Sequence, residues 1–143
     1  MVAETVDDLL GRPWTGAKEE TRPLVLGDVL VVAAYNAQVA ELARRLPDGA
    51  RVGTVDKFQG QEGAVVLFSM ATSGADDLPR TVEFLYSLNR LNVAVSRARA
   101  LAVLVASPAL LQLRCRTPGQ MRLANALCRL VEIAEEQLQP VPA

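Results

Sequence analysis

The chain has 143 residues, a length typical of one domain, and half of its residues are hydrophobic, which is enough to form a core. Its formal net charge is −1. Domains that bind nucleic acid through their overall charge are usually strongly basic, so the net charge gives no support to a free-standing nucleic-acid-binding domain. Any contact with nucleic acid has to be local or shared with another domain.

Residue types that are rare or missing narrow the choice of compartment and chemistry. No apolar run reaches the roughly 18 residues of a membrane span, and the N-terminus lacks the pattern of a signal peptide. Cys115 and Cys128 do not have metal-ligand spacing, and we interpret them as reduced thiols. The chain has no histidine, the commonest general base and metal ligand. We therefore expect a cytoplasmic protein with no membrane contact and no metal site of its own.

The first third of the chain predicts a helix, a connection, a strand and a second helix. Residues 2–10 are predicted to be helical, and residues 11–27, which contain two prolines, to form an irregular connection. The continuous apolar run at 29–34 is typical of a parallel strand buried on both faces. An amphipathic helix is predicted over 37–46, where a proline–aspartate–glycine turn ends it.

The alternation of strands and helices continues along the rest of the chain. The remaining predicted elements are a strand at 51–55, a polar loop or helical turn at 56–62, a strand at 64–70, a loop at 73–79, a mainly helical segment at 81–100, a strand at 101–106, a short helix at 108–113 and a helix from 117 to about 137. Four buried strands separated by helices predict an α/β fold with a mostly parallel sheet and right-handed crossovers. We divide the chain into an N-terminal helix and linker at 1–27, this α/β domain at 28–139 and a frayed tail at 140–143.

Polar residues follow two of the predicted strands, where the ligands of open parallel sheets bind. The segment Tyr35-Asn36-Ala37-Gln38 follows the first strand, and the loop at 56–62 follows the second. In that loop Gly60 permits a ligand to approach the backbone, and Glu62 can accept hydrogen bonds from sugar hydroxyls. A simple turn capped by Asp56 explains the same residues equally well.

A third polar cluster lies on the predicted helix at 81–100 and contains Asn89, Arg90, Asn92, Ser96, Arg97 and Arg99. Arg90 and Arg97 are seven residues apart, which would place them on nearly the same helix face, about 10 Å from each other. Two guanidinium groups on one face suit two phosphate groups, because arginine stays charged and offers paired donors. A solvated or ion-paired helix face is the alternative interpretation.

Two elements that normally hold a nucleoside triphosphate do not occur in the sequence. There is no G-x-x-x-x-G-K-[ST] segment, whose backbone and lysine would cradle the phosphates. There is also no acidic strand of the Walker B type to hold Mg²⁺. We therefore do not expect this chain alone to bind a triphosphate in the manner of a P-loop protein.

Three segments resemble motifs of superfamily 1 helicases. Residues 31–38 (VVAAYNAQ) look like motif IV, residues 53–62 (GTVDKFQGQE) like motif V of the 5′-to-3′ branch, and residues 89–99 (NRLNVAVSRAR) like motif VI. Their order and spacing also match, and the resemblance covers about 28–107. It implies the second RecA-like domain of such a helicase, with a RecA-like P-loop NTPase fold. One departure is Ala34, which stands where motif IV often has a proline.

The resemblance implies a role for each residue that matches a motif. Arg97 matches the arginine finger of motif VI, which reaches the γ-phosphate of ATP across a domain cleft. The residues implied to bind ATP are Tyr35, Gln38, Gln59, Gly60, Glu62 and Arg90. The residues implied to contact nucleic acid are Thr54, Asp56, Lys57, Phe58 and Asn92.

The resemblance also implies cofactors and partners. ATP and Mg²⁺ would be bound mainly by a first RecA-like domain that carries the P-loop, and the track would take single-stranded DNA or RNA. The stretch from Arg114 onward resembles bacterial proteins in which a RecB-like nuclease is fused to the helicase. Two alternatives remain: a non-catalytic RecA-like module that binds nucleic acid or protein, and a flavodoxin-like domain that binds a small molecule. Gln59, Glu62 and Arg97 favour the helicase, because a scaffold does not require them.

Overall fold

The computed structural model describes residues 1–70, 88–106 and 114–138, and its main feature is a four-stranded parallel sheet. The elements, in chain order, are α1 (Val2–Leu9), β1 (Pro13–Thr15), β2 (Thr21–Pro23), a 3₁₀ turn (Leu26–Asp28), β3 (Val29–Ala33), α2 (Asn36–Arg45), β4 (Arg51–Thr54), β5 (Gly63–Met70), α3 (Leu88–Ser96), β6 (Ala98–Ala106) and α4 (Pro118–Leu138). The strand order in the sheet is β4–β3–β5–β6, and every neighbouring pair is parallel.

The two central strands, β3 and β5, are buried along their whole length, as their β-branched and aliphatic sequences predict. Successive residues of β3 point to opposite faces of the sheet. Leu30 and Val32 belong to the core on one face, and Val29 and Val31 to the core on the other. The predicted α/β architecture, a parallel sheet flanked by helices, is therefore confirmed, and it is the architecture of the RecA-like P-loop NTPase fold.

Helices cover both faces of the sheet. Val6 from α1 and Leu42 from α2 are buried in the core on one face. Ala94 from α3 and Leu127 from α4 are buried in the core on the other face. Among the helices of the described residues, none combines the length and the apolar character needed to cross a membrane.

The predicted irregular connection at 11–27 is wrong in part, because it contains the antiparallel hairpin β1–β2. The Arg22 guanidinium lies 5.2 Å from the centre of the Trp14 ring and forms two hydrogen bonds of 2.7 Å with the Asp28 carboxylate. These bonds hold the pKa of Asp28 below its ordinary value. Arg22 therefore links the two strands of the hairpin to each other and to the turn that follows, in a segment for which the prolines predicted a loop.

The predicted helix at 81–100 is also wrong at its C-terminal end. Helix α3 ends at Ser96, and β6 begins at Ala98, two residues later. Pairing between Ala98 and Gly63 of β5 draws these residues into the sheet, so a long-range contact overrides the local helical pattern. The predicted loop at 73–79 and the predicted short helix at 108–113 lie outside the described residues.

Gly63, the first residue of β5, lies against β3 with no room for a side chain. A Cβ atom at this position would lie 2.9 Å from Cγ of Leu30 and 3.0 Å from the backbone oxygen of Asp28. Contacts below 3.0 Å force a shift of the neighbouring atoms. Gly63 therefore sets how closely the start of β5 approaches β3.

Substitution of Gly63 by alanine should lower the free energy of unfolding by about 1–3 kcal/mol, because the added methyl group overpacks the sheet at this point. Gly27→Ala is the matched control, since a Cβ there meets no atom within 4 Å, and it should change stability by less than about 0.5 kcal/mol. Urea unfolding of both variants measures the difference. Equal stabilities would contradict the packing assigned to Gly63.

Candidate functional site

The candidate site is organised by the segment 55–62, which connects β4 to β5 and is called here the crossover segment. It begins at the carboxyl end of β4 and ends at the amino end of β5, and β3 lies between these two parallel strands. Backbone hydrogen bonds from Lys57 N to Thr54 O (3.1 Å) and from Gln61 N to Phe58 O (2.9 Å) hold it in tight turns. Its two ends therefore lie at opposite ends of the parallel strands.

Gln59 and Gly60 are exposed residues of the crossover segment. Gly60 has a φ of +80°, a left-handed conformation that side chains disfavour, and a Cβ there would meet nothing within 4 Å. The glycine is therefore required by the backbone conformation of the turn, and the space above it is open.

A pocket of about 220 Å³ lies at the carboxyl ends of β3 and β4, and we call it the carboxyl-edge pocket. Its lining residues are Ala33, Ala34, Tyr35, Asn36, Thr54, Val55, Asp56, Phe68 and Arg90. The structure thus brings together four predicted site residues that are distant in sequence. A guanidinium, a carboxylate, a hydroxyl group and an aromatic ring in one cleft can bind a polar ligand such as a nucleotide or a sugar–phosphate backbone.

Two further predicted site residues, Glu62 and Arg97, meet at the amino ends of β5 and β6, where Gly63 and Arg99 complete what we call the amino-edge junction (Glu62, Gly63, Arg97 and Arg99). The Gly63 N–H donates a hydrogen bond of 3.0 Å to the backbone oxygen of Arg97. The Arg99 Nε donates one of 2.9 Å to Oε2 of Glu62. Motif V and motif VI segments are therefore joined by one backbone bond and one ion pair.

Arg97 lies in the turn between α3 and β6, not on the helix. The predicted two-turn spacing from Arg90 along one helix face is therefore wrong. Arg90 lines the carboxyl-edge pocket, whereas Arg97 belongs to the amino-edge junction. The Arg97 side chain is half-buried, and its Nε atom is buried with no hydrogen-bond partner among the described residues.

Lys57, a predicted contact to nucleic acid, is used inside the domain. Its Nζ donates a hydrogen bond of 2.8 Å to the backbone oxygen of Val52. Its aliphatic stem fills the space above Gly53, where a Cβ would collide with Cδ of the lysine. Val52 belongs to β4, an edge strand of the sheet. Lys57 itself is exposed, and an ammonium group has three donors, so it can contact nucleic acid while it keeps this bond.

Phe58, a predicted stacking aromatic, is only 4% exposed and belongs to the core that contains Leu30 and Ala94. The Arg51 guanidinium lies 6.0 Å from the centre of its ring. Arg51 also donates to Oε1 of Gln61 (2.7 Å). The ring therefore anchors the crossover segment to the sheet, and base stacking would require it to leave the core.

Gln38 connects the ends of β3 and β5. Its Nε2 donates to Oγ of Ser69 (2.7 Å), and its Oε1 accepts from the N–H of Ala34 (3.3 Å). Ser69 is a buried polar residue at the carboxyl end of β5. The sequence reasoning missed Ser69, although a serine within an otherwise apolar strand is a signal that could have found it.

Of the remaining predictions, Asn92 lies exposed on α3. Among the described residues, no three or more histidine, cysteine, aspartate or glutamate side chains come together in a way that could hold a metal ion. Arg99 belongs to the segment that resembles motif VI but was given no role of its own, and Arg51 was not singled out in the sequence.

Comparison with known proteins identifies the relatives of this domain. Residues 1–109 match the family model described as AAA domain. The chain is 31% identical over 106 residues to an uncharacterised ATP-dependent helicase of Caenorhabditis elegans, an alignment that covers 73% of this chain and 6% of the relative.

Two further relatives carry more specific names. The DNA polymerase alpha-associated DNA helicase A of Schizosaccharomyces pombe is 41% identical over 75 residues, which cover 50% of this chain and 11% of that protein. The RNA helicase Mov10l1 of Mus musculus is 33% identical over 88 residues, which cover 57% of this chain and 7% of that protein. The matched segment is thus a small part of each of these relatives. The chain belongs to the AAA domain family and is a helicase-type domain of superfamily 1.

Proposed function

We propose that this domain is the C-terminal half of an ATP-dependent superfamily 1 helicase, in which it supplies the arginine finger and part of the track for single-stranded nucleic acid. The observation that supports this most is the amino-edge junction. There Glu62 and Arg97 are adjacent through the bond from Gly63 to Arg97, and the Arg97 Nε has no partner within the described residues. The Arg97 side chain is only partly buried, and a guanidinium group that stays charged can bind an anionic group that a second domain presents.

In the proposed mechanism a neighbouring RecA-like domain with a P-loop would hold ATP and Mg²⁺, and the metal ion would supply neutralisation of the phosphate charge. Arg97 reaches the γ-phosphate when the two domains close and stabilises the charge that develops there. Arginine suits this task because it remains protonated and offers a planar set of donors. Glu62 accepts hydrogen bonds from the sugar hydroxyls, while Gln59 and Gly60 shape the loop beside it.

Hydrolysis and product release open the two domains again, and this hinge motion moves the contacts to the strand. On this half, the proposed contacts to the nucleic-acid strand are Thr54, Asp56, Lys57 and Asn92. Tyr35 and Arg90 line the carboxyl-edge pocket with Thr54 and Asp56, at the opposite end of the β-strands from Glu62 and Arg97. Their implied contact with ATP therefore does not fit a nucleotide held at the amino-edge junction, and in this proposal they contact the nucleic acid. The relatives include both a DNA helicase and an RNA helicase, so each assay should be run with single-stranded DNA and with single-stranded RNA.

In the intact protein, replacement of Arg97 by alanine should lower strand-stimulated ATP turnover by about 10³- to 10⁵-fold, the usual effect of losing an arginine finger. Binding of ATP should persist, because the P-loop of the other domain supplies most of the affinity. Steady-state phosphate release and nucleotide titration measure the two quantities. Arg44→Ala, which removes an exposed arginine paired with Glu41 on α2, is the control and should leave both unchanged. Normal turnover in the Arg97 variant would remove that residue from its proposed role.

This chain by itself should hydrolyse no ATP, because its sequence contains no P-loop to hold the triphosphate. Phosphate release is measured with Mg²⁺ and with single-stranded DNA or RNA. ATP hydrolysis by the purified chain that is lost in the Arg97→Ala variant would show that the chain contains a complete ATP site after all.

Replacement of Phe58 by leucine in the intact protein should leave the affinity for single strands unchanged, because the ring is buried in the core. Stacking on one base is worth about 1–3 kcal/mol, so a stacking role predicts a loss of roughly fivefold or more. Phe58→Ala should instead lower the free energy of unfolding by about 3–5 kcal/mol. Fluorescence anisotropy with a labelled strand and urea unfolding of the same samples separate the two roles. Weaker binding of a stably folded leucine variant would support stacking.

A further inference from the structure

The ion pair between Glu62 and Arg99 has a specific geometry at the amino-edge junction. Nε of Arg99 donates to Oε2 of Glu62 at 2.9 Å, and the two side chains are 60% and 50% exposed. Exposed ion pairs contribute little to the stability of a protein. Stability alone therefore does not account for an arginine that is held at this position.

An irregularity in the sheet directs Arg99 toward Glu62. Gly63 pairs with Ala98, and Val65 pairs with Leu101, with a register shift between the two pairs. Two residues of β6, Arg99 and Ala100, thus oppose the single residue of β5 between Gly63 and Val65. Two residues of one strand opposite one residue of its neighbour form a β-bulge, and bulges beside functional sites commonly change the direction of a side chain.

We propose that Arg99 is a positioning residue that holds the Glu62 carboxylate in the orientation that accepts the sugar hydroxyls of ATP. The proposal rests on the proposed function, in which Glu62 contacts the nucleotide sugar. A carboxylate has about four lone-pair sites, so one bond from Arg99 to Oε2 leaves Oε1 and further sites for the sugar.

The physical benefit is the loss of side-chain freedom before the nucleotide arrives. A glutamate that is already held by Arg99 loses less entropy when it binds, and this makes binding of the sugar tighter. The arginine touches neither the phosphates nor the strand in this role. Its removal should therefore affect affinity for the nucleotide and not the rate of hydrolysis of the bound nucleotide.

In the intact protein, Arg99→Ala should raise the KM for ATP by about three- to tenfold, the effect expected from one side chain that is no longer ordered in advance, with kcat changed less than about twofold. The preference for ATP over 2′,3′-dideoxy-ATP should fall by the same factor, because the second nucleotide has no hydroxyls for Glu62 to bind. A loss of folded protein would instead lower kcat equally for both nucleotides.

Three further variants make the test specific. Arg129→Ala is the matched control, because Arg129 pairs with Glu132 at 3.1 Å and with nearly the same exposure, and it should change neither parameter. Arg99→Lys, which can still donate to the carboxylate, should restore part of the preference. Arg99→Ala added to Glu62→Ala should have no further effect, because the arginine acts only through the glutamate.

The outcomes separate this proposal from the proposed function. If Arg97→Ala abolishes turnover but Arg99→Ala leaves the preference for ATP over the dideoxy nucleotide intact, the positioning role is overturned and the helicase function stands. If Glu62→Ala leaves that preference intact, the positioning role is overturned as well. If Arg97→Ala has normal turnover, the proposed function itself fails.

Discussion

One backbone hydrogen bond, from the Gly63 N–H to the oxygen of Arg97, sets the geometry on which the candidate site depends. It joins the end of the crossover segment to the turn after α3, so residues that are more than thirty positions apart become neighbours. Gly63 also packs closely on β3, since a Cβ would lie 2.9 Å from Cγ of Leu30. The residue that fixes the start of β5 against β3 therefore also joins the Glu62 segment to Arg97.

Some residues of the crossover segment stabilise its conformation, and others belong to the candidate site. Phe58 is buried in the core, and Lys57 donates to the oxygen of Val52 at the sheet edge, so both stabilise the segment. Glu62 and Gln59 lie on its exposed part. A segment anchored by buried and edge contacts holds its exposed residues with little freedom, which is what a site shared between two domains requires.

Strands and motifs could be predicted from the sequence, whereas the direction of individual side chains could not. Continuous apolar runs predicted β3 and β5, because a strand buried on both faces needs such residues. The start of β6 at Ala98 depends on pairing with Gly63, a contact between distant segments that local helical periodicity does not reveal. Position in the sequence likewise did not show that the Phe58 ring lies in the core or that Arg99 binds Glu62, since both follow from packing in three dimensions.

A net charge of −1 is compatible with the proposed binding of phosphates once the individual arginines are considered. Arg22, Arg44, Arg45 and Arg129 pair with carboxylates of the domain itself, so part of the basic charge is used in ion pairs within the molecule. If the proposed function holds, the nucleic-acid affinity of this domain depends on a few groups in the carboxyl-edge pocket and not on a broad basic face. Because each contacted phosphate releases counterions, few contacts leave the strand easy to release. A translocating domain has to release its strand at every step, and a strongly basic surface would oppose this.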